Sequence, residues 1–186
     1  CALPISIANG LMKYMLNNGQ KYKIRFANRI DMDTSGIVIV AKNANSQNDI
    51  SLQMRENLVH KQYMAIVNGV IRDDEFTIDK PIGRPNEESI QRKVLSEGGK
   101  DAITDVKVLE RFYNNTLVEV TLHTGRTHQI RVHLAHIGHP ITGDHLYGGD
   151  APALIDRQAL HAAKMIVNHH MTGEKLEIEA PLPDDM

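Results

Sequence analysis

The chain has 186 residues, a formal net charge of −2 and 41% hydrophobic residues, which suits one substantial core or two small lobes sharing one. The near-neutral balance excludes a global positive field while allowing a local basic surface, and the single cysteine, Cys1, excludes an internal disulfide framework and fits a reducing compartment. No apolar run approaches the ~18 residues of a membrane-spanning helix and no secretory signal is visible, so a soluble, cytoplasmic, monomeric protein is expected. The chain opens on Cys, and its first element reads like the middle of a fold. A true N-terminus upstream is therefore expected.

Ile7, Leu11, Met12 and Met15 have helical spacing, and Asn18-Gly19 closes that helix. Lys21, Lys23, Arg25 and Arg29 make a basic approach to Asp31. A Thr-Ser-Gly turn follows, then a continuous apolar run, Ile37 to Val40. Such a run predicts a fully buried strand over 36–42 that holds Asp31 rigidly. A helix is expected over 45–57 and a strand over 60–70, closed by Gly69. Residues 71–101 are polar and punctuated by Pro81, Gly83, Pro85, Gly98 and Gly99. They read as a long surface excursion, or as a substrate-contacting arm on a rigid scaffold, with a short strand near 92–95. Two strands, 103–112 and 116–123, meet at the hairpin signal Asn114-Asn115. The segment 125–138 reads as a helix entered through Gly125 and closed by Gly138, with Ile130, Leu134 and Ile137 facing the core. Two final strands, 159–167 and 175–179, turn at Thr172-Gly173. The tail after them is acidic and reads as a solvated edge.

Several chemistries compete for these residues. Asp31-Met32-Asp33 suggests a Mg²⁺-dependent phosphatase loop, but the apolar strand follows this pair instead of preceding it, and the adjacent arginines oppose a cation. His123, His128, His133, His136, His139 and His145 suggest zinc. Yet no HExxH pattern occurs and the predicted helix carries no carboxylate. Phosphate binding by 125–133 has better support. Arg126 and Arg131 are fork donors for phosphate or carboxylate, and a helix N-terminus adds unpaired N–H groups. Arg131, next to apolar Ile130, is expected to be partly buried and paired, with Asp31 a candidate partner. Tyr63 is either an ordinary core tyrosine or a platform on which a flipped base stacks.

Taken together, the motifs resemble one family. RIDMDTSGIVIVAKN (29–43) is similar to the RLDxxTSG signature of RNA pseudouridine synthases of the RluA/RluD type. KQYMAIVNG (61–69) resembles that family's KxYxAxVxG stretch, and GKDAITDVKVLERF (99–112) its GKxAxT strand. TGRTHQIRVHLAHIGHPITGDHLYG (124–148) is close to its longest signature. LHAAKM (160–165) and EAPLPDD (179–185) resemble its closing strands. The matches run in family order over nearly the whole chain.

The resemblance implies an α+β fold with a mixed, mostly antiparallel sheet, flanking helices and a central RNA-binding cleft, all in a single catalytic domain over 1–186. It implies isomerisation of uridine to pseudouridine in RNA, ribosomal or transfer, without cofactor or metal. It assigns catalytic roles to Asp31, the nucleophile, to Tyr63, packed on the target base, and to Arg131, salt-bridged to the aspartate. Arg29 would contact RNA around the vacated stack, and Arg126 and His128 are candidate RNA contacts beside it. A scaffold that binds RNA without turnover is the alternative. There are departures. Asn28 stands where many members carry His, Ile30 where many carry Leu, and His169-His170-Met171 where a His-Pro pair is common. The initial strands with an Asn-Lys-Pro segment, and the S4-like domain of some members, are not in this sequence.

Overall fold

The fold is described from a computed structural model covering residues 6–151 and 154–186. Ser6 caps the first helix, α1 (Ile7–Asn17), by accepting the Asn9 N–H. Beyond the Asn18 C-cap the chain turns at Gly19, with φ +60°, a backbone conformation that glycine adopts at little cost. Cys1 lies outside the described residues.

The apolar run after Asp31 does not form the single buried strand expected over 36–42. Two short pieces form instead. β1 (Arg25–Phe26) pairs antiparallel with β3 (Val40–Ala41), whereas β2 (Ser35–Gly36) joins a different sheet. Between β2 and β3 the backbone is satisfied in part by a side chain. Asn28 Nδ2 donates to the Ile37 carbonyl at 3.1 Å, and Asn28 Oδ1 accepts the Ile39 N–H at 2.7 Å. A carboxamide offers the same donor and acceptor pair as a peptide unit, so Asn28 supplements the backbone bonds in which the Ala27 N–H donates to the Ile39 carbonyl and the Ile37 N–H to the Ala162 carbonyl. The hydrophobic pattern therefore gave the burial of Ile37 and Ala41 but not the hydrogen-bond partner.

The second helix, α2 (Ala44–Arg55), is capped by Asn43 Oδ1 accepting the Ser46 N–H at 2.8 Å. Five long or medium strands follow the expected order: β4 (His60–Asn68), β8 (Ile103–Arg111), β9 (Asn115–Leu122), β10 (Leu160–Asn168) and β11 (Lys175–Glu179). Within the excursion, β6 (Ile82–Gly83) and β7 (Lys93–Val94) form a small ribbon. Residues 75–79 form β5 (Glu75–Asp79), a strand the sequence reading missed. Of β5 only Ile78 is buried. An edge strand exposed along most of its length leaves too few apolar positions for a period-2 signal. The main sheet runs β11-β10-β4-β9-β8-β5, antiparallel throughout, with β2 added parallel to β10.

The third helix, α3 (Gln129–His136), is four residues shorter at its start than the sequence suggests. Gly125 to His128 lie in a loop, and the N-cap His128 is left-handed, with φ +57°. Gln129 through Leu134 are all buried, so the helix is covered on every side and not only on its Ile130–Leu134 face. Ile130 and Leu134 pack with Ala65, Val118 and Val120 of the main sheet, while Val132 packs with Ile82 and Ala102. The helix is thus clamped between the sheet and the β6–β7 ribbon, and cannot shift without disturbing both.

Candidate active site

The Asp31 loop is built as a tight turn. The Thr34 N–H donates to the Asp31 carbonyl at 3.1 Å and Asp33 is left-handed, with φ +66°, a conformation that Asp tolerates better than most residues. Asp33 is itself exposed, so it shapes the turn without entering the site. The loop is held from the start of β10, not from a strand behind it. Gln158 Nε2 donates to the Met32 carbonyl and to Thr34 Oγ1, and Arg157 Nη1 donates to the Asp33 carbonyl at 3.2 Å. Arg157 is itself fixed by both carboxylate oxygens of Asp185, each at 2.7 Å. The Ser35 hydroxyl and His161 Nδ1 are 2.8 Å apart. At Gly36 the two backbones touch: a Cβ there would lie 2.3 Å from the Ala162 carbonyl oxygen.

Asp31 opens onto a cleft of about 820 Å³ whose lining includes Arg29, Tyr63, Arg126, His128 and Arg131. β4 supplies one wall. Its alternation sends Ala65 and Val67 into the core and, on the same face, Tyr63 and Lys61 into the cleft. A bulge at Ala163 of β10 keeps the facing residues in step: Ala162 sits opposite Tyr63, and Met165 opposite Lys61. Burial, reinforced by the charge of Asp31, pushes the Tyr63 hydroxyl up to about 12, so it stays protonated and can donate. Burial lowers the Lys61 ammonium from its usual range.

Arg131 is where sequence and structure differ most. Its guanidinium is nearly inaccessible, at 8% exposed, and its hydrogen bonds go to Asp144: Nε to Oδ2 at 2.7 Å and Nη2 to Oδ1 at 2.8 Å. Asp31 is approached by Nη1 alone, at 3.8 Å, too far for a hydrogen bond. The expected Asp31–Arg131 ion pair is present, but as the longer arm of a triad whose tight arm is Asp144. Burial opposes the arginine's charge. The hydrogen bonds and charge of Asp144, then the charge of Asp31, more than offset this and raise its pKa. Tyr147 lies under the guanidinium, which is 5.0 Å from the ring centroid.

Tyr147 also fixes His128. Its hydroxyl accepts the Arg92 N–H at 2.9 Å and lies 2.8 Å from His128 Nδ1. The phenol oxygen and Nδ1 share one hydrogen bond, whose direction follows the imidazole tautomer. Burial, with Arg131 and Arg92 nearby, lowers the His128 pKa despite opposing Asp31 and Asp144. His128 therefore faces the cleft as a neutral hydrogen-bonding group, not as a cation. Arg126 is exposed, held by Nε donating to the Asp101 carbonyl at 2.8 Å, and Arg29 is exposed in the lining of the same cleft. Because Arg126 precedes α3, it contributes as a cation and not through a helix terminus.

The histidine block does not converge. His133 is fully buried between Thr104 Oγ1 and the Lys80 carbonyl, His139 contacts the Asn68 carbonyl, and His123 and His145 contact Asp105 and Asp150. Among the described residues no three metal-ligating side chains cluster, and no helix is long and apolar enough to cross a membrane. Sequence reasoning quoted Asp144 and Tyr147 within GDHLYG without giving them a role. It also missed Lys61, although its i, i+2 spacing from Tyr63 on a strand was a signal.

A model of the RNA pseudouridylate synthase family matches residues 6–136. The chain belongs to this family. An RNA pseudouridine synthase of Bacillus subtilis named YlyB, described as uncharacterised, is 44% identical over 184 residues, covering 97% of this chain and 60% of the relative. Ribosomal large subunit pseudouridine synthase D of Neisseria meningitidis (strain Z2491) is 38% identical over 192 residues, covering 97% of this chain and 51% of that one. The chain thus spans about half to three-fifths of these relatives. Human RNA pseudouridylate synthase domain containing 1 superposes with a TM-score of 0.79 at 30% identity, covering 95% of this chain and 76% of that one. This pseudouridylate synthase fold is the α+β, mostly antiparallel architecture that the sequence motifs imply.

Proposed function

We propose that the chain converts uridine in RNA to pseudouridine, with Asp31 as the nucleophile. The observation that carries this reading is one exposed carboxylate edge in a cleft that otherwise presents an aromatic ring and cations: Asp31 beside Tyr63 and Arg131, ringed by Arg29, Lys61 and Arg126. A base cannot react at its glycosidic bond while stacked in a duplex, so it must be flipped into such a pocket. Tyr63 offers the stacking face. Arg29 and Arg126 meet the phosphates on either side of the vacated position. The Arg131 guanidinium stands 3.8 Å from the Asp31 carboxylate, and the carboxylate is the side chain in the cleft that can act as a nucleophile.

The chemistry balances without an outside reactant. Asp31 attacks the flipped nucleotide, the N1–C1′ bond breaks, and the uracil turns over in the cleft. C5 then bonds C1′ and loses its proton, N1 gains one, and the bond to the Asp31 oxygen breaks, which returns the free carboxylate. Substrate and product are isomers, so no oxidant, reductant or group donor is consumed. Ribosomal and transfer RNA are the substrates proposed, and the name of the Neisseria relative favours the ribosomal large subunit.

The test incubates wild type and Asp31→Asn with large-subunit rRNA fragments and tRNA transcripts, with pseudouridine measured by nucleoside chromatography and RNA affinity measured separately. Wild type should form pseudouridine, and the variant should form none while binding RNA within a few-fold. Turnover by the variant at the wild-type rate would refute the role of Asp31.

A further inference from the structure

The cleft is larger than the proposed chemistry uses. Its lining also includes Phe26 of β1, Met54 and Arg55 of α2, and Asn57 just beyond that helix. Ala27 and Met54 pack onto the core made by Ile37, Ile50 and Val59. Successive side chains of an extended chain point to opposite faces. With Ala27 turned into that core, Phe26 is turned out of it and stays 40% exposed. Arg55 lies in the last turn of α2, and Asn57 carries the chain out of the helix with φ +57°. Both are exposed. The charge of the lining is one-sided: the cations Arg29, Arg55, Lys61, Arg126 and Arg131 face the single carboxylate of Asp31.

We propose that Phe26 is a second base platform, on which the nucleotide next to the target uridine stacks, with Arg55 against its phosphate. The proposal rests on the cleft binding RNA, as the proposed function requires, and not on turnover. A lone exposed apolar side chain is ordinary. Phe26 differs because its ring stands in a cleft beside cations, the combination by which proteins hold single-stranded nucleic acid. Flipping a uridine also strips its neighbour of a stacking partner. An aromatic face restores that stack whatever the base, since every base has a π-face. Space allows a second base: a drug-sized ligand fills a site of about 300–1,000 Å³, a single uracil is smaller than such a ligand, and the cleft holds about 820 Å³. The other two phenylalanines serve as internal controls. Phe76 packs on the main core, and Phe112, 44% exposed, is not in the cleft lining.

The experiment compares two probes: single-stranded octauridylate, and an abasic oligoribonucleotide with the same number of phosphates. The wild-type sequence is made with 4-fluorophenylalanine, and the ¹⁹F signals of Phe26 and Phe112 are assigned with Phe26→Leu and Phe112→Leu. Octauridylate should shift the Phe26 signal through the ring current of the stacked base and leave the Phe112 signal in place. The abasic probe should shift neither. Affinities are measured by fluorescence anisotropy at one low salt concentration, where phosphate contacts are strong. Phe26→Leu stays apolar but loses the ring, and should bind octauridylate roughly tenfold more weakly, within the range of an aromatic platform. Phe26→Tyr and Phe112→Leu should bind it like wild type, and all four proteins should bind the abasic probe alike. Circular dichroism and thermal melting check each fold, and the ¹⁹F shift is read without any substitution. Bound octauridylate with an unmoved Phe26 signal, a Phe26→Leu loss equal for both probes, or no binding of octauridylate overturns the proposal. Pseudouridine formation is scored separately by nucleoside chromatography. Its absence in a wild type whose Phe26 signal shifts overturns the proposed function and leaves the platform standing.

Discussion

Replacing Gly36 by alanine should damage the site from five residues away. Two effects add. Gly36 has φ +108°, outside the range in which L side chains are comfortable, and holding a non-glycine residue in such a region costs about 1–3 kcal/mol. The added Cβ would also lie 2.3 Å from the Ala162 oxygen, 2.6 Å from its nitrogen and 2.7 Å from its carbonyl carbon. All three are backbone atoms, so no side chain can swing aside. Overpacking of this kind costs about 1–3 kcal/mol more. Relief requires β2 and β10 to separate by roughly 1 Å, toward ordinary contact near ~3.5 Å. That loosens the turn carrying Asp31. For a chain of this size each kcal/mol lowers Tm by about 2–4 °C, so Gly36→Ala should melt roughly 4–24 °C early and lose about 10²-fold in kcat. Gly19→Ala is the control: its φ is +60° and nothing lies within 4 Å of the added carbon, so it carries backbone strain alone, about 1–2 kcal/mol. Thermal melts and single-turnover pseudouridine assays on both variants decide the matter. If Gly36→Ala melts no lower than Gly19→Ala and turns over normally, the close contact between β2 and β10 does not position Asp31.

Two further predictions concern the cleft and the core. Tyr63→Phe keeps the ring and should hold RNA within a few-fold of wild type. Tyr63→Ala removes a stacking face worth about 1–3 kcal/mol and should weaken RNA roughly ten- to hundredfold, as read by filter binding at fixed salt. Equal losses in the two variants would show that the hydroxyl, not the ring, holds the base. His133 is fully buried and its pKa is lowered, chiefly by burial, so the folded state resists a proton that the unfolded state accepts near the ordinary value of 6.5. The sign follows: stability is fullest above pH 6.5 and falls as pH drops below it toward the folded-state pKa. Urea midpoints at pH 7.5 and 5.5 should show this loss, and His133→Gln should show less of it. An equal loss in the variant would assign the acid sensitivity to other groups.

The residues that the sequence determined by itself are those whose signal is local. α1 and α2 follow from helical spacing, and the structure adds Ser6 and Asn43 as their caps. The β8–β9 hairpin follows from its turn residues, and the Tyr63 face follows from strand alternation. The motif order pointed to Asp31, Tyr63 and Arg131, and the fold brings all three to one cleft. What the sequence could not determine depends on partners distant along the chain. The run 37–40 is apolar for burial, but its hydrogen bonds are split between the Asn28 side chain and the backbones of Ala27 and Ala162, an arrangement periodicity does not encode. The excursion conceals β5, because an edge strand needs only one buried residue to be held by its neighbour. α3 begins at Gln129 because its packing between sheet and ribbon, and the Gln129 side chain accepting the Arg126 N–H, fix its start. The division of Arg131 between Asp31 and Asp144 is the clearest case. Charge complementarity names Asp31 as a partner, but which carboxylate receives the hydrogen bonds is set by differences of about an ångström, and only the packed structure fixes those.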